Sequence, residues 1–232
     1  MFFIGSAGVF DSILSAIILT AVILLGILMT FAVSRMLSET LLKGVPSSFT
    51  LELPPYRRPQ IGRVIVRSIF DRTLFVLGRA AAVAAPAGLV IWLMANITVG
   101  DMNLLSHCAG FLDPFAKAIG MDGVILMAFI LGFPANEIVI PIIVMTYMAQ
   151  GSIIELDNIA LMKQLFTENG WTWITAVNVM LFSLFHWPCS TTMLTIRKET
   201  GSTKWTVVSM LLPTLTGIIV CFLFTTIARL FI

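Results

Sequence analysis

An all-α, polytopic membrane fold is what this chain of 232 residues predicts, on three observations. Hydrophobic residues make up 58% of it and charged residues only 11%, against roughly 25% charged in an average soluble domain. Four uncharged runs, 12–34, 80–100, 170–196 and 205–228, reach the ~20 residues needed to cross a bilayer. The basic residues gather in connecting stretches, where they report orientation.

The first run is read as a retained helix. No basic start of a signal peptide precedes it, the first charge being Asp11. Residues 35–79 then carry Arg35, Lys43, Arg57, Arg58, Arg63, Arg67, Arg72 and Arg79 against Glu39, Glu52 and Asp71, which places the stretch in the cytoplasm. Within it, 44–60 holds Pro46, Pro54, Pro55 and Pro59 and predicts an extended connector. In 61–79, Arg63, Arg67 and Arg72 interleave with Val64, Ile65, Ile69 and Phe70, the pattern of a basic amphipathic helix at the membrane surface; a solvated basic face explains it equally well. The chain therefore divides into an N-terminal transmembrane helix (1–43), a cytoplasmic connector with its basic helix (44–79) and a transmembrane domain (80–232).

If 80–100 runs outward, the polar stretch 101–122 is an external loop, and its Asp101, Asp113 and Asp122 against Lys117 agree with that. Residues 151–169 are also acidic, whereas Arg197, Lys198 and Lys204 make the next loop basic and cytoplasmic. Two external loops thus flank 123–150, a fifth apolar stretch interrupted by Glu137. It is expected to enter and leave on one face as a re-entrant hairpin turning near Gly132-Phe133-Pro134-Ala135-Asn136, with Pro141 breaking the helix a second time. Broken backbone at membrane depth is tolerated only where protein or a wet cavity supplies its hydrogen bonds.

Two clusters could carry chemistry. A carboxylate in lipid costs about 3 kcal/mol, so Glu137 calls for a reason: an ion met by Asn136, Glu137 and carbonyls freed by Pro134, or a cap on the second half-helix. The second cluster is His186-Trp187-Pro188-Cys189-Ser190-Thr191-Thr192, where Pro188 is expected to unwind the helix. His186 and Cys189, three apart, would share a helical face, and imidazole with thiolate suits a borderline transition metal. Taken alone, that pair is more often a satisfied histidine beside a small apolar cysteine. Together the two breaks match the discontinuous helices of secondary transporters, with oxygen, nitrogen and sulfur around one cation.

Weaker candidates are His107 and Cys108, adjacent and in the expected loop, and the methionines, Met145, Met148, Met180 and Met193 among them, which read as packing. Asn178 either lines a path or bonds a neighbouring helix. Cys108, Cys189 and Cys221 are too few and too scattered for a disulfide framework. The net charge of +2 implies no nucleic-acid partner. There is no Gly-x-x-x-x-Gly-Lys-Ser/Thr loop, Gly-x-Gly-x-x-Gly fingerprint or His-Glu-x-x-His pair, so no enzymatic activity and no permanently bound cofactor are expected.

Three motifs in order, Leu51-Glu52-Leu53-Pro54-Pro55-Tyr56-Arg57, Gly132-Phe133-Pro134-Ala135-Asn136-Glu137-Ile138-Val139 and His186-Trp187-Pro188-Cys189, resemble the C-terminal membrane region of the ferrous iron transporter B family, FeoB. Asp71-Arg72 through Ala85-Pro86-Ala87-Gly88, and Thr195 to Gly201, extend the likeness over nearly the whole chain. The resemblance implies a multi-pass protein of the bacterial inner membrane, a gate-type core of the nucleoside-recognition kind, and Fe2+ as the transported ion. Carried over by position, its gate elements are Pro134, Asn136 and Glu137, then His186, Pro188 and Cys189; joined to the reading of the two clusters, Glu137, Asn136, Cys189 and His186 are the expected metal-binding residues and Pro134, Pro188 and Thr191 the gate backbone. It also implies partners: membrane lipid, a GTP-binding portion in cis or in trans, which this chain lacks together with a first gate repeat, and a further copy of the chain. An organic-solute permease of the same architecture and a non-transporting membrane scaffold stay open.

Overall fold

The computed structural model describes residues 9–40, 60–67, 70, 73–100, 102–148 and 159–231. The proline-rich connector falls on residues outside that set, apart from Gln60, as do Ile69 and Arg72 of the basic stretch and 151–158 of the second acidic loop. The chain forms two compact units, 17–79 and 80–232 together with 1–16.

In the smaller unit, most of helix α1 (Val9–Thr40) is one uninterrupted helix, and α2 (Ile61–Arg67) is a short basic one. Each side-chain-exposed apolar residue of α1, from Ile13 to Phe31, keeps its backbone bonds inside the helix, so it can face acyl chains at no hydrogen-bonding cost.

Helix α3 (Phe75–Asn96), most of which belongs to the larger unit, carries Pro86 in its interior and ends four residues before the predicted limit at Gly100. The β-branched Thr98 and Val99 form β1 (Thr98–Val99), which pairs antiparallel with β2 (Met102–Asn103) across a turn at Gly100, where φ is +69°. The expected external loop is, for most of its length, helix α4 (Leu104–Ala118). Asn103 caps it, its side chain accepting from the Ser106 amide at 2.9 Å, and Pro114 is carried inside it. His107 and Cys108 therefore lie on a helix, with the His107 ring against the Val99 carbonyl at 2.9 Å.

The chain then bends by 109° into α5 (Gly123–Leu131), capped by Asp122. A turn over 132–135 and a short 3-10 helix over Asn136–Ile138 reverse it into α6 (Val139–Tyr147). Pro141 sits in the first turn of α6, where its missing N–H is one that the helix does not use, so no second break occurs. The base of this hairpin is tied: Tyr147 donates its hydroxyl to Asp122, and Trp171 donates its indole N–H to the Tyr147 oxygen at 2.8 Å. Both ends of the α5–α6 pair therefore lie together, as the hairpin reading requires.

Helix α7 (Ile159–Glu168) leads to α8 (Trp173–Phe185), started by a Thr172–Thr175 capping box. After an interruption comes α9 (Ser190–Thr200), closed by Gly201 at φ +61° with Arg197 and Lys198 in its last turn. Helix α10 (Thr203–Leu230) returns antiparallel to α8: Gly217 lies against Phe185, a Cβ there coming within 3.0 Å of it, and Asn178 donates to the Thr225 hydroxyl at 2.8 Å. Asn178 thus bonds a neighbouring helix. The core of the unit is built from Ile125, Phe129, Ile142, Ile143, Met145 and Phe182, all contributed by α5, α6 and α8. Three described helices, α1, α3 and α10, are long and apolar enough to cross a membrane, and α8 with α9 taken as one segment makes a fourth span.

Candidate functional site

Each interruption leaves backbone groups without helical partners. In the first, between Leu131 and Val139, the turn closes locally: the Gly132 amide donates to Ala128 at 2.8 Å and the Ala135 amide to Gly132 at 3.0 Å. Gly132 is required there, because a Cβ would come within 2.5 Å of the Val139 side chain and 3.0 Å of the Ala128 carbonyl. The carbonyls of Phe133 and Pro134 are met from elsewhere. The Ser190 amide donates to Phe133 O at 2.9 Å, and the Ser190 hydroxyl lies 3.3 Å from Pro134 O. Ser190 is buried and opens α9, so the start of the helix after the second interruption supplies donors to the turn of the first.

The second interruption is extended. His186 has φ −70° and ψ 173°, and Cys189 has φ −61° and ψ 159°. The idea that the two share a helical face is therefore corrected: Pro188 bars α8 from continuing, and each residue stands at the end of a different helix. The His186 ring packs against Phe129, with centroids 5.2 Å apart, and against Phe182. Its Nδ1 lies 2.9 Å from the Ser183 carbonyl. A carbonyl only accepts, so Nδ1 carries the proton and Nε2 keeps its lone pair. That Nε2 is buried without a partner among the described residues, the state in which an imidazole can bind a metal. The Cys189 sulfur sits 3.2 Å from the Thr191 hydroxyl and 3.1 Å from that of Thr192, at the positive end of α9.

Asn136 and Glu137 lie on the 3-10 helix, exposed, and among the described residues neither side chain has a hydrogen-bond partner. The capping role open to Glu137 is not used, since α6 has Ile138 at its N-cap and no side-chain cap. Among the described residues no three of His, Cys, Asp or Glu stand close enough to hold a metal ion. What comes together is thus the backbone of the two breaks, while the four nominated ligand side chains do not form a closed cage. Met145 is buried in the core, and the Met193 sulfur takes a distant contact from the Ser209 hydroxyl at 3.9 Å, as packing residues do.

Sequence reasoning expected Ser190, Thr191 and Thr192 to hydrogen-bond backbone freed at Pro188, but it missed that the partners of Ser190 are carbonyls of the first break. The only signal was a place in a Ser-Thr-Thr run beside Pro188, and those partners lie 56 and 57 residues away in sequence.

Residues 77–203 match the family described as Nucleoside recognition, and residues 19–71 match the Ferrous iron transport protein B C terminus. Among curated relatives, the Fe(2+) transporter FeoB of Staphylococcus aureus (strain MSSA476) is 28% identical over 97% of this chain and 33% of its own length. The transporters of the same name from Leptospira interrogans (strain 56601) and Synechocystis (strain PCC 6803) are each 26% identical, over 85% and 94% of this chain and 31% and 34% of their own. The chain spans about a third of the length of these relatives. No solved structure matches it. With apolar helices long enough to cross a bilayer, a nucleoside-recognition match over 77–203 that spans both breaks and a match to the ferrous iron transport protein B C terminus over 19–71, the chain belongs to the ferrous iron transport protein B family, as its C-terminal, multi-pass inner-membrane region with a nucleoside-recognition-type gate.

Proposed function

We propose that this chain is the ion-handling membrane part of an Fe2+ uptake transporter, and that Fe2+ crosses where the two interrupted segments meet. One observation supports this above the rest: Ser190 joins the second break to the Phe133 and Pro134 carbonyls of the first. The joint ties the break that carries Asn136 and Glu137 to the break that carries His186 and Cys189. An open, mixed ligand set suits the task. Fe2+ stands low in the Irving–Williams order, so a closed Cys/His cage would sooner retain zinc or copper. A conduit must replace hydration oxygens well enough to admit the ion and weakly enough to release it.

The relatives are about three times as long, so the remaining part of the transporter, including its GTP-binding portion, acts with this chain in cis or in trans. Tested in vesicles with that part supplied, Glu137→Ala and Cys189→Ser each lower Fe2+ flux about tenfold, the effect of losing roughly 1.4 kcal/mol of ion stabilisation. Unchanged flux at equal expression for both variants removes the site assignment. The description of the matched gate family as nucleoside-recognising favours a second reading, an organic-solute permease in which Asn136 and Glu137 hydrogen-bond the solute. Anaerobic calorimetry separates the two: heat with Fe2+ and none with uridine supports the first, and the reverse supports the second.

A further inference from the structure

Helix α4 carries three separate faces. Leu105, Ala109 and Ala116 are buried on one, at the four- and seven-residue spacing of a helix face, and pack toward α5. Ser106, Asp113 and Lys117 repeat that spacing on a polar face, where Asp113 pairs with Lys117 and accepts from the Gly123 amide at 3.2 Å. Phe111 and Phe115, four apart, stand with Ala118 on the third face, 84% and 51% exposed. In water, two bare phenylalanines beside a finished polar face would be an anomaly.

Chain geometry supplies the level at which that face sits. The amide of Leu104, first residue of α4, donates at 2.9 Å to the carbonyl of Ile97, the residue that follows α3. At the other end, Arg229 in the last turn of α10 donates to the Lys117 carbonyl at 3.0 Å. Just beyond α4, Gly120 packs so tightly on α10 that a Cβ would stand 2.2 Å from the Thr225 hydroxyl. Both ends of α4 are therefore fastened to the C-terminal ends of bilayer-length helices. Basic residues precede both α3 and α10, so those two ends share the non-cytoplasmic side. A helix of 15 residues is about 22 Å long, and one held at both ends at the same level lies along the membrane. The 109° bend into α5 agrees with this.

We propose that α4 is an interfacial anchor, lying in the non-cytoplasmic leaflet with Phe111 and Phe115 among phospholipid chains just below the headgroups and Asp113 and Lys117 toward water. Phospholipid is the occupant because the Phe face continues the lipid-facing surface of α3, where Leu89, Trp92 and Leu93 are exposed, through Val99 and Met102. The anchor fixes the level at which α5 starts, and through it the depth of the Gly132–Glu137 turn. It does not depend on which solute is carried.

The test uses the full chain in phosphatidylethanolamine–phosphatidylglycerol vesicles. Phe111→Trp and Phe115→Trp each add an emitter, read as the difference from the unsubstituted protein, and Lys117→Trp reports the polar face. Lipids brominated at shallow acyl positions are expected to quench the added emission at 111 and 115 more than lipids brominated near the chain ends. Aqueous iodide is expected to quench the 117 signal alone. Emission at 111 and 115 that iodide quenches and bromolipid does not, or that neither reaches because a second copy or another chain covers the face, overturns the proposal. Circular dichroism matching the unsubstituted protein establishes that each variant is folded.

Discussion

The α5–α6 hairpin and the long helices α1, α3 and α10 divide the work of a membrane fold in opposite ways. Helices α5 and α6 have nine residues each, about 14 Å, less than half a hydrocarbon core of ~30 Å. Among the described helices these two nonetheless bury the largest share of their residues, with Ile125, Ala128, Ile142 and Ile143 wholly enclosed. The long helices expose most of theirs, Leu215, Ile219 and Leu223 of α10 among them. Lipid explains the inversion. A long helix satisfies its own backbone and can stand in acyl chains, whereas a segment that stops at Leu131 and resumes at Val139 needs protein donors such as Ser190. In this chain the interrupted hairpin, not the longest helices, fills the protein interior.

The largest test of that contrast is Phe182→Ala. Phe182 is fully buried, edge-on to Phe129 at 4.9 Å, and the substitution is expected to cost about 3 kcal/mol, the low end for a core phenylalanine because unfolding within a micelle regains little transfer energy. Detergent-solubilised thermal unfolding reads it. Gly123→Ala follows: its Cβ would stand 1.9 Å from the Ala109 carbonyl, so α4 and α5 must part, at about 2 kcal/mol on the same measurement.

Tyr147→Phe keeps the ring against Phe166 and removes the hydroxyl that joins Asp122 to Trp171. A loss of about 1.5 kcal/mol is expected, as for a hydrogen bond to a charged acceptor, with faster amide exchange at the hairpin base. Leu215→Ala, on the exposed side of α10, is expected to stay within about 0.5 kcal/mol. A drop as large as that of Phe182→Ala would mean that protein rather than lipid covers this face.

The long helices were legible because hydropathy alone marks a segment whose backbone is self-sufficient. The hairpin turn was legible because Gly132, Pro134 and Glu137 coincide in an apolar run. Helix α4 was hidden: Asp113, Pro114 and Gly110 suggest a loop when read in a line, and only the three-faced arrangement gives the helix meaning. Proline proved ambiguous, since Pro86, Pro114 and Pro213 lie inside helices and Pro141 at the start of one, while Pro134 and Pro188 lie in gaps. The difference rests on whether neighbouring groups take up the freed carbonyls, which no single position reveals. That Ser190 bonds freed backbone was legible beside Pro188, whereas its partners, carbonyls of the distant first break, were not, for the same reason.

That joint has an evolutionary corollary. Because its shorter bond is donated by a main-chain amide, nineteen of the twenty residue types could occupy position 190 and still supply the donor; proline alone could not. Mutational drift there can erode the hydroxyl contact without unfastening the seam, so kinship between such proteins can fade at this position while the fastening itself is inherited intact.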